Sequence, residues 1–475
     1  MRNIIKTLLI LCAYLAVGHV HGQTLNGKLN AAFATYNKDA QNKYGITGFV
    51  VEEIDGNVVY SYNAHTGLAP ASAQKVVTAV TALDVFGPQY NYLTSVSHSG
   101  SINAGTLNGD LLIEGSGDPT LASWRYGSKP EEGFFEQVLQ SLRAKAIQQI
   151  NGNLVATNTR WSVQPIPGGW IYDDMGNYYG AGSWALNYHE NQYDVHYMAT
   201  GSPGRVLKQS GQVPSSGIVE WDDLMTLGNA GTGDRGYIYA PPYSTYAYTN
   251  GSLGKTDRNF PISGSMPHGE WSLLDALKTY LVKNGIAVNG GPVPALEIIS
   301  GREKLPVVAE TLMRHQSIGM DSIVYWFLRR SINLYGEALL KSMAEVKTGI
   351  GETAKGTDWV TQFWAGKGVP KESLRIQDGS GLSPQNRVTA QSLVQVMQYA
   401  RKQSWYPVFY DGLPLIDGKK MKSGTIGGAK SYTGYLKDRN GKEYTFAIIT
   451  NNYSGSPSAL VQKMWKVLDV VVGHK

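Results

Sequence analysis

Two serine–lysine pairs in this 475-residue chain have the spacing S-x-x-K, which places both side chains on one face of a helix. A serine hydroxyl barely ionises at neutral pH, so it becomes a nucleophile only beside a base, and a buried lysine can be that base. Ser72 and Lys75 follow Pro70 at the head of a run without Gly or Pro, which predicts a buried helix. Ser252 and Lys255 lie in a Gly- and Asn-rich string that predicts a loop. Only the first pair therefore fits a serine nucleophile with a lysine base.

Two further polar strings could complete such a site. S-x-N, whose hydroxyl can relay a proton and whose amide can hold a substrate, occurs at Ser61–Asn63, Ser101–Asn103 and Ser331–Asn333. K-[ST]-G occurs at Lys347–Gly349 and again at Lys422–Gly424. The first copy ends a helical run, where Gly349 is typical of a C-cap. The second copy directly precedes a hairpin and predicts a strand whose edge can pair with a peptide.

The order S-x-x-K, S-x-N, K-[ST]-G resembles that of the penicillin-recognising serine DD-peptidases and serine β-lactamases. About 260 residues separate Ser72 from Ser331, and this large insertion resembles the low-molecular-mass class C penicillin-binding proteins, the D-alanyl-D-alanine carboxypeptidase/endopeptidase family. Other strings similar to that family are PASAQKVVTA (Pro70–Ala79), GSGDPTL (Gly115–Leu121), the W-x-x-D-D…Y-G-A stretch (Trp170–Ala181), Leu186–Asn187, SINLYGEALLK (Ser331–Lys341), DGSGLS (Asp378–Ser383) and TNN (Thr450–Asn452).

This resemblance implies a role for each matching residue. Ser72 would attack the carbonyl of the penultimate D-alanine, and Lys75 would accept its proton. Ser331, helped by Lys422, would pass a proton to the leaving amine, and Asn333 would hold the acyl-side amide. Backbone N–H groups of the nucleophile and of Thr425 would form the oxyanion hole. The residues implied to bind substrate are Ser423, Gly424, Thr425, Asp173, Asp174 and Arg387, of which the side chains at 423 and 425 would bind the terminal carboxylate.

The chain departs from the family beside the DGSGLS string. An arginine commonly follows that string and binds the free end of the diamino acid, but Pro384 stands there, so Arg387 is a candidate replacement. Asp173 or Asp174 could still meet an amine of the substrate. The connection Leu413–Lys422 is shorter than usual, which predicts a more open rim. The resemblance implies peptidoglycan stem peptides as substrate and β-lactams as acylating inhibitors, with no cofactor and no metal.

The surrounding pattern predicts an α+β fold, a serine β-lactamase/transpeptidase-like domain with an antiparallel sheet and flanking helices. Hairpins are indicated by Asp55-Gly56 and Asn440-Gly441, a first helix by Leu25–Tyr44 and a last helix by Pro457–Val472. Dense Gly, Asn, Tyr and Pro in the middle predict a large inserted, β-rich, nested domain pair with few helices beyond Gly133–Ala146. The predicted divisions are a signal peptide at 1–22, transpeptidase-like segments at 23–92 and 285–475, and the insertion at 93–284.

The first residues predict export. Arg2 and Lys6 precede the short apolar run Leu8–Val17, which is typical of a secretory signal peptide cleaved near Gly22. The only cysteine, Cys12, lies in that run, so the mature protein is expected to lack a thiol. No other apolar run reaches about 18 residues, which predicts a mature protein without a transmembrane segment, periplasmic or secreted. The net charge of +5 has no basic block, which argues against nucleic acid as a partner.

Two other functions stay open. A β-lactamase or D-peptide esterase on the same fold would release its acyl group rapidly, although the chain has no dedicated deacylating Glu motif. A wall-binding scaffold without activity would tolerate broken motifs, whereas all three are intact. The 11 Trp and 29 Tyr could stack on sugars, but antiparallel sheets are rich in aromatic residues in any case, and that interpretation is favoured.

Overall fold

The computed structural model describes residues 24–127 and 130–474, so the predicted signal peptide lies outside the described residues. The described helices are α1 (Leu25–Asn37), α2 (Lys75–Phe86), α3 (Pro130–Ala144), α4 (Tyr172–Met175), α5 (Gly269–Lys283), α6 (Ala295–Ile299), α7 (Met320–Arg330), α8 (Asn333–Thr348), α9 (Thr353–Ala365), α10 (Ala390–Arg401), α11 (Tyr406–Gly412) and α12 (Pro457–Val472). Among the described residues, no helix is both long and apolar enough to cross a bilayer.

The described strands are β1 (Ile46–Glu53), β2 (Val58–Tyr62), β3 (Asn91–His98), β4 (Ser101–Asn103), β5 (Thr106–Asn108), β6 (Leu111–Glu114), β7 (Gln149–Ile150), β8 (Leu154–Ala156), β9 (Gln192–Met198), β10 (Gln209–Val213), β11 (Glu220–Gly228), β12 (Asp234–Tyr239), β13 (Tyr246–Gly254), β14 (Asn259–Ser265), β15 (Ala287–Val288), β16 (Pro292–Val293), β17 (Glu310–Gly319), β18 (Leu374–Arg375), β19 (Arg387–Val388), β20 (Leu415–Ile416), β21 (Lys419–Ile426), β22 (Ala429–Lys437) and β23 (Glu443–Asn451). These mixed sheets and helices confirm the predicted α+β class.

The outer part of the chain builds a six-stranded antiparallel sheet in the order β2-β1-β23-β22-β21-β20. Both of its faces are covered. Phe49 and Val51 of β1 pack towards α1 and α12, while Val50, between them, joins the core with α2, α7, α8 and α10. Burial on both faces explains why β1 and β23 read as nearly continuous apolar runs. Both predicted hairpins are found here, and α12 has the predicted bounds.

The middle of the chain forms four smaller sheets. A five-stranded sheet has the order β16-β8-β6-β3-β17 and a four-stranded sheet the order β15-β7-β5-β4. Two three-stranded sheets, β10-β9-β14 and β11-β13-β12, follow. Together with α3 and α5 they surround a second core. Helix α5 was not predicted, although Leu273, Leu277 and Leu281 have helical spacing and are fully buried.

The strand pairing continues past the predicted end of the insertion at residue 284. Strands β15, β16 and β17 all lie beyond that residue, yet they pair with strands β7, β8 and β3 of the predicted insert. This pairing favours an insertion that ends near Gly319. The division into domains stays a prediction.

Two local expectations need adjustment. The first helix ends at Asn37 and only a short 3₁₀ turn, Ala40–Asn42, follows it. The string around Ser252 is not a loop but the end of β13, where consecutive side chains alternate between the two faces. The pair Ser252–Lys255 is therefore kept off a common helical face by a strand. Gly349, in contrast, is the predicted C-cap, with φ of 82° after α8.

Candidate active site

Ser72 lies in a tight 3₁₀ turn, Ala71–Gln74, and Lys75 is the first residue of α2. The Lys75 Nζ is 2.8 Å from the Ser72 Oγ, so the two residues that the S-x-x-K spacing predicts to meet do meet. The residue before the serine, Ala71, has φ of +47°, a left-handed conformation that an alanine adopts only at a cost of about 1–3 kcal/mol. The turn is therefore held in place by its surroundings rather than by local preference.

Lys75 is fully buried and makes three polar contacts. Its Nζ is 2.8 Å from the Ser72 Oγ, 2.6 Å from the Asn333 Oδ1 and 2.7 Å from the Ser380 carbonyl oxygen. Burial lowers the pKa of Lys75 to about 7, against the opposing attraction of Asp378 and Glu337. A neutral amine has two N–H bonds and one lone pair. The amide oxygen and the carbonyl can take the two N–H groups, which leaves the lone pair for the hydroxyl of Ser72.

The S-x-N string forms the break between α7 and α8. Ser331 ends α7 with φ of 57° and ψ of 38°, a left-handed conformation, and Asn333 opens α8 two residues later. This sharp break directs both side chains towards Lys75 and Lys422. The Asn333 side chain also donates to the Tyr179 carbonyl at 2.7 Å, which fixes its amide with the oxygen towards Lys75.

Lys422 supplies a second buried amine. It lies on β21, and its Nζ is 3.0 Å from the Ser331 Oγ and 2.9 Å from the Ser423 carbonyl oxygen. Burial is the main cause that holds the pKa of Lys422 well below its usual range, and the positive charges of Lys75 and Lys430 add to it. The three strings that the sequence placed in order are thus gathered at one point, with a serine–lysine pair on each side.

The edge of β21 is open where it passes the nucleophile. Its outer neighbour, β20, pairs only with Lys419 and Lys420 among the described residues, and the Met421 N–H donates to the Pro414 carbonyl at 3.0 Å, so the edge is open from Lys422 onwards. Gly424 allows this strand to approach the turn of Ser72. A Cβ at Gly424 would lie 2.4 Å from the Pro70 carbonyl oxygen and 2.7 Å from the Ala73 nitrogen. The small residue therefore serves contact with the protein's own nucleophile turn.

The DGSGLS string forms the floor behind Lys75. The Asp378 carboxylate accepts the N–H groups of Gly381 and Ser383 at 2.8 and 2.6 Å and the indole N–H of Trp170 at 2.9 Å. The Gln74 side chain donates to the Asp378 carbonyl oxygen at 2.7 Å. This buried network joins the turn of Ser72 to the string whose Ser380 carbonyl faces the lysine.

A cleft of about 640 Å³ opens in front of these groups. Among the residues that line it are Ser72, Asp174, Ser331, Asn333 and Thr425, which places five predicted site residues on one surface. The predicted lysines lie behind this surface. Lys75 is fully buried and Lys422 is nearly so.

Several cleft residues were not predicted. Arg125 and Arg330 line the cleft, as do Tyr178 and Tyr179. Arg330 directly precedes the S-x-N string and the two tyrosines belong to the Trp170–Ala181 stretch, so their closeness to these strings could have indicated a place in the cleft. No nearby string indicates Arg125, because its partner is remote in sequence.

That partner is Glu190, a fully buried carboxylate 65 residues further along the chain. The Arg125 Nε donates to its Oε1 at 2.7 Å, and the Ser123 and Tyr335 hydroxyls donate to the same oxygen at 2.8 and 2.9 Å. This pair fixes a guanidinium on the wall of the cleft.

The remaining predicted substrate-binding residues divide into two groups. Asp174 lines the cleft, and burial raises its pKa to about 6. Asp173, Ser423 and Arg387 are not among the lining residues. Asp173 instead lies near Tyr239, whose pKa is raised by burial and then by the negative charge of Asp173, and Ser423 shares its strand face with Thr425. The Arg387 guanidinium bonds back to carbonyls of its own loop, those of Pro384 and Asn386, both at 2.7 Å, so the structure does not bring this guanidinium into the cleft.

A serine beside a buried lysine, a second serine–lysine pair and an open strand edge on an α+β scaffold define a class of enzymes that transfer acyl groups through serine. Comparison with known proteins gives the family. Residues 29–469 match the D-Ala-D-Ala carboxypeptidase 3 (S13) family, and the chain belongs to it. Its enzyme class is accordingly a serine-type D-Ala-D-Ala carboxypeptidase, as the sequence resemblance predicted.

Individual relatives match over most of the chain. The D-alanyl-D-alanine carboxypeptidase of Actinomadura sp. is 27% identical over 462 residues, which cover 90% of this chain and 81% of that protein. The D-alanyl-D-alanine carboxypeptidase DacB of Haemophilus influenzae is 23% identical, over 86% of this chain and 85% of that protein. The crystal structure of penicillin binding protein 4 from H. influenzae superimposes with a TM-score of 0.78 at 20% identity, over 93% of this chain and 99% of the other. This likeness confirms the predicted fold.

Proposed function

We propose that the chain hydrolyses the terminal D-Ala–D-Ala bond of peptidoglycan stem peptides through an acyl-enzyme on Ser72. The observation that carries this proposal is the contact of 2.8 Å between the Ser72 Oγ and the Nζ of Lys75, whose pKa of about 7 leaves a large neutral fraction at physiological pH. A neutral amine with its lone pair towards the hydroxyl is the base that a serine nucleophile requires.

Acylation then proceeds in balanced steps. The Ser72 oxygen bonds to the carbonyl carbon of the penultimate D-alanine while its proton moves to Lys75. The bond from that carbon to the nitrogen of the terminal D-alanine breaks, and Ser331 gives its hydroxyl proton to the leaving amine. The proton that Lys75 took from Ser72 replaces the one that Ser331 gave up, and Lys422, 3.0 Å from the Ser331 Oγ, assists this transfer by its contact with that oxygen. A water molecule then attacks the ester, which releases the shortened peptide and restores Ser72.

The open edge of β21 is the proposed docking strand for the peptide. Backbone N–H and C=O groups on an unpaired edge can pair with an extended substrate. In this pose the N–H groups of Ser72 and Thr425 would face the oxygen that becomes negative in the transition state. Ser423 and Thr425 would bind the terminal carboxylate, and Lys430, whose Nζ is 2.6 Å from the Thr425 Oγ1, adds positive charge there.

Other finer assignments belong to the same proposal. Asp174, which lines the cleft, would meet an amine of the stem peptide, whereas Asp173 and Arg387 have no place in the cleft as it stands. A crystal structure of the H. influenzae penicillin binding protein 4 contains a β-lactam, which supports acylation of Ser72 by such compounds. Cleavage of D,D cross-links as an endopeptidase and a location outside the cytoplasm also stay proposals.

The test is covalent labelling of the purified protein with a fluorescent penicillin, followed by peptide mass spectrometry and an assay of D-alanine release from an N-acylated D-Ala–D-Ala peptide. Wild type should carry a stable adduct on Ser72 and release D-alanine. Ser72→Ala should do neither, and Ser252→Ala, at the second S-x-x-K string, should behave as wild type. An adduct that disappears within seconds would show a β-lactamase. If the folded protein forms neither an adduct nor a product, the remaining interpretation is an inactive scaffold that binds the cell wall.

A further inference from the structure

The outward face of the three-stranded sheet β11-β13-β12 carries a row of tyrosines. Tyr237 and Tyr239 alternate along β12, and Tyr246 and Tyr248 alternate along β13, with Tyr239 directly opposite Tyr248 in the register. Tyr172 of α4 extends the row, with its ring centroid 5.2 Å from that of Tyr239. We call these five residues the tyrosine platform.

The platform is not part of a core. The opposite face of the same strands holds the core residues, where Met225, Ile238 and Ala247 are fully buried. Three of the platform side chains are 51%, 42% and 40% exposed, at Tyr172, Tyr237 and Tyr246. A preference of sheets for aromatic residues accounts for tyrosines that pack against neighbours, but a group of five large rings on one face, three of them exposed, is a feature of binding surfaces.

The rings are held in fixed orientations. Tyr239 and Tyr248 stack with centroids 4.6 Å apart and an interplanar angle of 10°, and the hydroxyls of Tyr172 and Tyr248 are 3.4 Å apart. The Tyr246 hydroxyl donates to the Asp222 Oδ2 at 2.9 Å. A ligand would thus meet aromatic faces that need no reordering, edged by hydroxyls and carboxylates.

That combination fits sugars. The C–H faces of a pyranose ring are apolar and pack on aromatic rings, while its hydroxyl and amide groups bond to polar groups at the edges. The charges next to the platform are acidic: Glu220 and Asp222 lie on the same sheet face, in register with Tyr246 and Tyr248. Negative charge disfavours an anionic polymer such as a nucleic acid. An uncharged glycan suits the surface.

The platform is continuous with the active-site cleft. Tyr172 lies between Ile171 and Asp174, both of which line the cleft. The position of α4 is fixed on β12, because the Asn177 side chain accepts the Ile238 N–H at 3.1 Å and a Cβ at Gly176 would lie 2.0 Å from the Ile238 carbonyl oxygen. A ligand on the tyrosines therefore has a fixed path to the nucleophile.

We infer that the tyrosine platform binds the glycan strand of peptidoglycan from which the stem peptide in the cleft extends. This inference rests on the proposed function, since it assigns the attached sugar chain of that same substrate to a second, adjoining site. Its consequence is a preference for peptides that are still attached to glycan over the same peptides free in solution.

The experiment uses the double variant Y239A/Y248A in the full chain, with Tyr44→Ala as a matched control, because Tyr44 is 69% exposed in the turn before β1, a strand of a different sheet. The first measurement is binding of each protein, in a Ser72→Ala background, to uncharged, peptide-free oligomers of N-acetylglucosamine, because removal of the peptides from murein would leave a carboxylate on each muramic acid. The second is kcat/KM on a soluble D-Ala–D-Ala peptide and on whole murein. Penicillin labelling of each active variant shows that the cleft is intact.

The double variant should bind peptide-free glycan about tenfold more weakly and lose a similar factor on murein through KM, while the soluble peptide is cleaved as by wild type. Unchanged glycan binding would overturn the inference, and so would an equal loss in Tyr44→Ala or on the soluble peptide. Wild-type protein that binds glycan but fails to label with penicillin would overturn the proposed function and leave the platform standing.

Discussion

Lys75 and Lys341 are two fully buried lysines on either side of one buried carboxyl group, Glu337. Burial lowers the pKa of both, to about 7 for Lys75 and to about 8 for Lys341, and the nearby Glu337 opposes the shift in each. Their partners differ. Lys75 contacts a serine hydroxyl, whereas the Lys341 amine donates to the Gln164 and Ser183 carbonyls at 2.8 and 2.9 Å.

The difference shows that burial alone does not make a lysine a catalytic base. Burial lowers the pKa of a lysine and so raises the neutral fraction of its amine, and it does so at both positions. Carbonyl partners can only accept hydrogen bonds, so Lys341 has a structural role, in which it links α8 to two loops. A hydroxyl partner can give up a proton, and the contact between Lys75 and Ser72 is where the chemistry is expected.

The largest expected effect is the difference in activity between a variant without the Lys75 amine and a variant without the Lys341 amine. Lys75→Met should lower the rate of penicillin acylation and kcat/KM by about 10²–10⁴, because the hydroxyl of Ser72 loses its base. In the matched variant Lys341→Met, the acylation rate and kcat/KM of the folded fraction should stay within about threefold of wild type. Stopped-flow kinetics measure the acylation rate of both variants. Equal losses in the two variants would contradict the distinction drawn between these lysines.

The next effect is the pH dependence of acylation. Only neutral Lys75 can accept the proton, so kcat/KM should rise about tenfold per pH unit below pH 7 and level off above it. The initial rate of penicillin acylation between pH 5 and 8 measures this limb. A rate that falls as the pH rises through 7 would mean that the protonated amine is the active form.

The catalytic residues of this site could be predicted from the sequence more completely than the residues that surround them. Ser72, Lys75, Ser331, Asn333 and Lys422 are found together because each lies in a short string whose local structure, a helix start, a helix break or a strand, is set by its neighbours. The fold of the outer domain was predictable for the same reason, since its hairpins and helices carry turn and spacing signals.

What the sequence did not show depends on distant partners. Arg125 is fixed in the cleft by Glu190, and the pKa of Lys341 is lowered by burial between segments far apart in the chain. The end of the insertion was equally hidden, because β17 pairs with β3 across more than 200 residues. The string around Ser252 misled because its glycines and asparagine lie within a strand.

A smaller effect concerns stability. Lys341→Met should lower the free energy of unfolding by about 1–3 kcal/mol, because the carbonyls of Gln164 and Ser183 lose their donor. The pKa of Lys341 is about 8 when folded and 10.5 otherwise, so the unfolded chain binds the extra proton between these values and wild-type stability rises with pH there. Urea unfolding at pH 8 and pH 10 should show that this rise is reduced in the variant. The same rise in both proteins would assign it to other groups.

The smallest effect on activity is expected at Glu337 itself. Burial, with the negative charge of Asp378, raises its pKa to about 8, although the Gly379 N–H, the Ser380 side chain and Lys75 oppose the shift. At pH 7 the carboxyl is mainly protonated, and an amide of the same shape can still accept the Gly379 N–H that Glu337 now accepts at 3.0 Å. Glu337→Gln should therefore keep kcat/KM within about threefold at pH 7, whereas Glu337→Ala, which leaves that N–H without its partner, should destabilise the fold by about 1–3 kcal/mol.

The sign of the pH effect separates this carboxyl group from the two lysines that it joins. Unfolded Glu337 releases its proton near pH 4.5 and the folded group near pH 8, so wild-type stability falls as the pH rises between these values. The glutamine of Glu337→Gln cannot ionise. The free energy of unfolding of this variant, relative to that of wild type, should therefore increase steadily from pH 5 to pH 8. Urea unfolding across that range measures the gain. A constant difference between the two proteins would mean that Glu337 is already ionised at pH 5, held so by the positive charge of Lys75, and Lys75 would then be protonated at neutral pH.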